Sequence, residues 1–167
     1  PGLDKRTSGE LRKQLSKRGV NFKLGTSVDS INDKKVNFSD GESESFDCVL
    51  VAVGREPLTQ NIGLEEVGIK VNKGFIQTNL ETLQTEVENI YALGDIVEDT
   101  PQLAHVAFAE AVSSVTHIAT GKNNPVNYNA IPYVVYTRPE LAEVGFNSDK
   151  AKAVSYTHLT LPTTRYV

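Results

Sequence analysis

At 167 residues, with 39% hydrophobic and 23% charged side chains, the chain has material for one or two domains with a real core and the composition of an ordinary globular protein. A formal charge of −4 gives no reason to expect nucleic acid or an anionic membrane as a partner. No apolar run reaches the roughly 18 residues of a membrane span, there is no secretory signal, and Cys48 by itself builds neither a disulfide framework nor a Cys-rich metal site. A reducing, cytoplasmic location is the matching expectation.

The first residues predict a short helix. Thr7 and Glu10 stand at capping-box spacing, Leu11 and Leu15 share a face, and Gly19 falls where a C-terminal glycine belongs. Alternation of Val20, Phe22 and Leu24 predicts a strand, and Val28 with Ile31, then Val36 with Phe38, predict two more. Asp40-Gly41 is a hairpin signal leading into the charged, edge-like Glu42–Phe46. The continuous apolar run Cys48–Val53 predicts a strand buried on both faces, ending at Gly54-Arg55-Glu56-Pro57, where a domain boundary is expected.

Beyond that break, Ile69–Asn79 reads as a hairpin around Asn72-Lys73-Gly74. Ile90–Leu93 reads as a short buried strand running into Gly94-Asp95. A helix is predicted from about Gln102 to Thr120, stopped by Gly121, with Leu103, Ala107, Ala111, Val115 and Ile118 as its apolar stripe. Lys122–Pro125 is a polar linker, after which Ala130–Phe146 opens another β-rich unit. The chain has no Met and starts at Pro1, so it is expected to be an internal segment of a longer protein. Val154–Thr164 translates, in one frame, a DNA string resembling the mosaic end and adapter of transposon-based sequencing libraries; residues 154–167 are therefore expected to be non-native.

Chemistry points to two strand ends. In open α/β sheets ligands sit beyond the carboxyl ends of strands, and both "LVAVG" and "YALGD" end there in glycine. A carboxylate following such a glycine can accept hydrogen bonds from sugar hydroxyls, although a strand ending in Gly-Asp is more often a plain turn. The helical first turn Gln102-Leu103-Ala104-His105 has no acidic side chain, and Pro101 sets a rigid stop before it. Its unpaired amides and positive dipole end suit negative charge developing on a ligand, while the Ala spacing also suits tight packing on a sheet. His105 reads as a packing or capping residue or as a catalytic one. His117, about 120° further round the helix, cannot share a metal with it. Arg138 is expected in a surface ion pair, and Glu65 and Glu66 on a solvated face.

Four segments occur in a telling order: "VAVGREPLT", "TEVENIYALGDI", "QLAHVAFAEA" and "NAIPYVVYTRPELAEVG". With them the chain, from Pro1 to about Ala153, resembles the dihydrolipoamide dehydrogenase branch of the flavin-dependent pyridine nucleotide–disulfide oxidoreductases. The resemblance implies an α/β fold with incomplete FAD/NAD(P)-binding Rossmann-like domains plus the start of an α+β dimerisation domain. Residues 1–57 would be the rear of the NAD-binding domain, 58–124 the returning part of the FAD-binding domain, and 125–153 the opening of the dimerisation domain. Val28 and Gly54 would touch the NAD dinucleotide, Asp95 the ribityl chain of FAD, and Gln102, Leu103, Ala104 and His105 would present backbone amides to the flavin ring.

The implied activity is oxidation of protein-bound dihydrolipoyl groups with NAD⁺ through FAD and a redox disulfide. The implied partners are the lipoyl-bearing acyltransferase of a 2-oxo acid dehydrogenase complex and a second copy in a homodimer. Other disulfide reductases of the mercuric or glutathione type, and a non-catalytic nucleotide-binding module, are the alternatives. Leu58 departs from the Asn usual in the family, and Gln102 from a common Met. No G-x-G-x-x-G, no redox Cys pair and no His–Glu acid–base pair occurs, so no catalytic residue is named.

Overall fold

The computed structural model describes residues 3–154. They form two compact units, 3–54 with 134–154 in the first and Arg55–Tyr133 in the second. The expected non-native segment lies outside the described residues apart from Val154.

The first unit opens with helix α1 (Lys5–Lys17). It begins earlier than the Thr7–Glu10 spacing predicts. Asp4 is the N-cap, its carboxylate accepting from the Arg6 amide at 2.9 Å, and Thr7 lies inside the helix. An ionised carboxylate is a stronger acceptor than a hydroxyl for amides at the positive helix end, and Asp4 also accepts from the backbone amide (3.0 Å) and hydroxyl of Ser148. The other end is a Schellman closure: Gly19, at φ 90°, donates to Ser16 and Val20 donates to Leu15.

Strands β1 (Val28–Asn32), β2 (Lys35–Phe38) and β3 (Ser43–Ser45) form an antiparallel sheet in that order. Local turn chemistry sets both hairpins: Asp33 takes a positive φ in the first, and Asp40 accepts from the Glu42 amide in the second. Lys23 ties its segment to the second turn through Asp40 (2.8 Å) and Glu42 (2.5 Å).

Two expected strands do not form. Val20–Leu24 and Cys48–Val53 form no strand and have no ladder partner among the described residues. Cys48 is exposed rather than buried, and Leu50 and Val53 are 88% and 94% exposed. An apolar run has the propensity for a buried strand, but a strand exists only as half of a pair. Parallel partners lie a dozen or more residues away in sequence, and nothing in the run itself specifies them.

The second unit holds a core of Ile69, Ile76, Ala92 and Val97, with Leu64, Val87, Ile90 and Ile96 packed against it. Full burial of a Val or Ile side chain is worth about 1.5–3 kcal/mol, so Ile69, Ile76 and Val97 contribute most. The predicted hairpin is present as β4 (Val71–Asn72) and β5 (Phe75–Ile76), turning at Lys73-Gly74. Gly74 has φ 87°, and a Cβ there would lie 2.8 Å from Pro57 Cγ, so only glycine fits.

Ile90–Leu93, expected as a buried strand, makes only single bridging contacts. Tyr91 pairs with Gln84, the Ala92 amide donates to Leu83 at 3.1 Å, and Leu93 is half exposed. Helix α2 (Ala104–Thr120) follows, closed by Gly121 at φ 68°. After it, β6 (Pro132–Val135) pairs with β7 (Leu141–Val144), and α3 (Ser148–Ala153) is capped by Asn147. Arg138 makes no ion pair among the described residues, contrary to expectation, whereas Glu65 and Glu66 are exposed. No helix among the described residues is long and apolar enough to cross a membrane.

Asp4 yields a pH prediction. Hydrogen bonds from Ser148, first its hydroxyl and then its amide, lower the carboxyl pKa from 3.8 to about 2. A depressed acid stabilises the fold fully above its unfolded value and loses that contribution as pH falls through the folded value. Asp4→Asn, which retains capping ability, is therefore expected to be less stable than the parent at neutral pH. In paired denaturation curves the gap should start to close below pH 3.8 and be gone near pH 2.

Candidate functional site

The site is built around the turn that ends Ile90–Leu93. Ala92 keeps its amide in the contact with Leu83, but at Gly94 the backbone swings to φ 78° and directs its amide elsewhere. That amide donates to Glu110 Oε2 of α2 at 2.6 Å, and Gly94–Ile96 forms one turn of 3₁₀ helix. Glycine is favoured at position 94 by that positive φ; a Cβ would meet Ala107 Cβ at 3.4 Å, an ordinary contact. The next residue, Asp95, is then held beside the start of α2.

Three polar contacts close a ring at this point. The Arg55 guanidinium reaches Asp95 Oδ2 at 2.9 Å and the Gln102 carbonyl at 2.7 Å, while Gln102 Nε2 donates to the Asp95 carbonyl at 3.2 Å. Asp95 Oδ1 accepts no hydrogen bond from the described residues. The Arg55 and Asp95 side chains are 65% and 39% exposed, so the pair itself is worth no more than about 1 kcal/mol and is open to exchange with a ligand.

Helix α2 starts two residues later than the sequence predicts. Pro101 folds the chain so that the Leu103 amide donates back to the Pro101 carbonyl at 2.8 Å, and Leu103, extended at φ −132°, is the N-cap. Of the four amides singled out in the sequence, Leu103's is thus engaged within the chain. Those of Gln102, Ala104 and His105 have no acceptor among the described residues. The His105 ring pairs through Nε2 with the Pro132 carbonyl at 3.0 Å, a contact that anchors the segment following α2.

The buried face of α2 differs from the predicted stripe. Val106, Glu110, Ser113 and Ser114 are buried, and His117 on the same side meets the Tyr91 hydroxyl at 2.8 Å through Nδ1. Val115 and Ile118, expected in the core, are each 61% exposed. Hydrogen bonding overrides apolar patterning here, because Glu110 accepts from the Gly94 amide and, at 2.9 Å, from the Tyr128 hydroxyl. Burial first, and then this carboxylate, raise the Tyr128 pKa above its ordinary value, so the hydroxyl stays a donor.

Val28 and Gly54 belong to the first unit. Val28 opens β1 opposite Phe38 and is half exposed, and Gly54 has φ 145° with open space where a Cβ would be. A cleft of about 500 Å³ in the second unit, lined by Thr59, Asn61, Leu64, Glu66 and Gly74 among others, contains neither Asp95 nor any residue of α2. Arg55, Glu110 and Tyr128 were not assigned roles from sequence. Arg55 lies in a motif that was recognised, but the spacing of Glu110 from Val106, Ser113 and His117 is the only local signal of an inward polar face.

Residues 1–111 match the family model described as pyridine nucleotide-disulphide oxidoreductase, and the chain belongs to that family. It is 41% identical over 162 residues to dihydrolipoyl dehydrogenase 3 of Pseudomonas putida, covering 92% of this chain and 34% of that protein. It is 40% identical to the mitochondrial dihydrolipoyl dehydrogenase of Canis lupus familiaris, covering 90% of this chain and 31% of that one. Among solved structures, LpdA from Mycobacterium tuberculosis superposes with a TM-score of 0.82 at 28% identity, over 93% of this chain and 34% of that one. The Cu(II) complex of a variant of the HOCl-induced flavoprotein disulfide reductase RclA from Escherichia coli gives 0.78 at 25% identity, over 90% and 35%. The chain thus spans about a third of the length of the relatives it matches. These similarities agree with a partial Rossmann-like α/β region of a flavoprotein disulfide reductase.

Gly94→Ala tests the turn. A left-handed non-glycine residue costs about 1–2 kcal/mol, and the added methyl would meet Ala107 at an ordinary contact distance. Denaturant titration is expected to show a loss of that size, with Gly41→Ala, in open space at φ 84°, as the reference for the backbone cost.

Proposed function

We propose that this chain is the middle part of a dihydrolipoyl dehydrogenase, which oxidises protein-bound dihydrolipoyl groups with NAD⁺ by way of FAD and a redox disulfide. The carrying observation is the meeting of Asp95, with one carboxylate oxygen unengaged, and the open amides of Gln102, Ala104 and His105 at one turn. That donor and acceptor set fits a flavin. Asp95 Oδ1 would accept from a hydroxyl of the ribityl chain, and the open amides at the positive end of α2 would favour negative charge on the ring. When bound, FAD supplies the two-electron carrier between thiols and NAD⁺. What the chain contributes is orientation: the turn at Gly94 sets Asp95 beside the start of α2, and Arg55 bridges Asp95 and Gln102.

In this reading residues 1–57 belong to the NAD-binding domain, with Val28 and Gly54 toward the dinucleotide. Residues 58–124 belong to the FAD-binding domain and 125–153 to the dimerisation domain. The complete protein works as a cytoplasmic homodimer with a lipoyl-bearing acyltransferase of a 2-oxo acid dehydrogenase complex, and contacts neither nucleic acid nor membrane. The likeness to RclA supports one rival, a flavoprotein disulfide reductase with another electron acceptor. Purification of the complete protein separates the two. Bound flavin that is bleached by dihydrolipoamide and restored by NAD⁺ supports the proposal; flavin indifferent to dihydrolipoamide favours the rival, and absence of flavin refutes both.

Asp95→Ala in the complete protein is expected to weaken FAD binding about tenfold or more, the scale of a lost hydrogen bond to a charged group. Equilibrium dialysis against FAD reads this directly, and unchanged affinity would remove Asp95 from the site.

A further inference from the structure

Glu110 is the one group at this turn that the flavin reading leaves without a task. Its side chain is fully buried in α2 and has no cationic partner among the described residues. Burying a carboxylate costs more than burying an apolar side chain of equal size, so packing by itself does not account for it. Its two oxygens have separate duties, Oε2 taking the Gly94 amide and Oε1 the Tyr128 hydroxyl. The positive φ of Gly94 turns a buried amide away from the bridging contacts that serve Ala92, and Glu110 is its acceptor. Asp95 is the next residue along, and Tyr128 lies in the segment that returns toward His105 through Pro132.

We propose that Glu110 is a positioning residue for the flavin site, its buried carboxylate clamping the Gly94 amide and thereby fixing Asp95 against the start of α2. This rests on the flavin reading above. The clamp works through paired hydrogen bonds, not through charge. Glu110→Gln can therefore replace it: the amide oxygen accepts from Gly94, and the amide nitrogen donates to the Tyr128 oxygen, reversing the second bond. Glu110→Ala removes both bonds and strands the Gly94 amide. Tyr128→Phe leaves the Gly94 bond in place but frees the other side of the carboxylate.

The test uses the complete protein, with FAD titrated into flavin-stripped samples and read by the visible circular dichroism of the bound flavin. That signal reports how the ring sits against its neighbours, whereas far-UV circular dichroism reports the fold. For Glu110→Ala the FAD dissociation constant is expected to rise at least about tenfold, about 1.4 kcal/mol, with an altered visible band and an unaltered far-UV spectrum. Glu110→Gln should stay within about threefold of the parent with the parent's visible band, on the same scale. Should the alanine variant not fold, Tyr128→Phe carries the test, with a visible band displaced from the parent's. A parent-like band and affinity in Glu110→Ala, or in Tyr128→Phe where the alanine variant does not fold, would overturn the role while leaving the flavin reading intact. So would a glutamine variant as impaired as alanine. A parent protein that binds no FAD would instead overturn the flavin reading itself.

Discussion

The hydrogen bond from the Gly94 amide to the buried Glu110 carboxylate is the contact on which the second unit's polar end depends. It joins a left-handed turn, which only glycine adopts cheaply, to the body of α2, beyond its first turn. Without an acceptor, a buried amide costs about 1–3 kcal/mol; with one, the same amide becomes a fixed point. The residues that follow, Asp95 to Pro101, lead from that point to the start of α2, with Gln102 Nε2 donating back to the Asp95 carbonyl.

Two carboxylates, one in the turn at Gly94 and one in α2, consequently do different work. Glu110 points inward, uses both oxygens on the protein, and helps hold Tyr128 as a donor. Asp95 points outward, shares one oxygen with Arg55 and keeps the other unengaged. The start of α2 adds amides without acceptors because Pro101 and Leu103 close on one another first. Acceptor and donors thus converge at one turn, beside the cation of Arg55. Arg55 extends the set: its cation lies over both Asp95 and the Gln102 carbonyl, where it can reinforce or yield to a ligand hydroxyl at small cost.

What the sequence made legible follows from the range of the forces involved. Gly19, Asp40-Gly41, Lys73-Gly74 and Gly121 act through bonds between near neighbours, and the helix end and hairpins they mark are present. Val20–Leu24 and Cys48–Val53 have the apolar character of strands, but their pairing is not encoded nearby and they carry no ladder. The inward face of α2 was misread for a related reason. Counting apolar residues favours Val115 and Ile118, whereas the face is chosen by one carboxylate whose partners, Gly94 and Tyr128, are 16 and 18 residues away. Family resemblance supplied Asp95 and the Gln102–His105 turn; it gave no hint that Arg55 would link them.

Amide hydrogen exchange in the complete protein, with and without FAD, tests the central claim most directly. The account predicts that Gly94 is protected in both states, because its acceptor belongs to the protein. Ala104 and His105 should exchange fast in the flavin-free form and slow down when FAD is added. Fast exchange at Gly94, or no change at Ala104 and His105 on adding FAD, would contradict it.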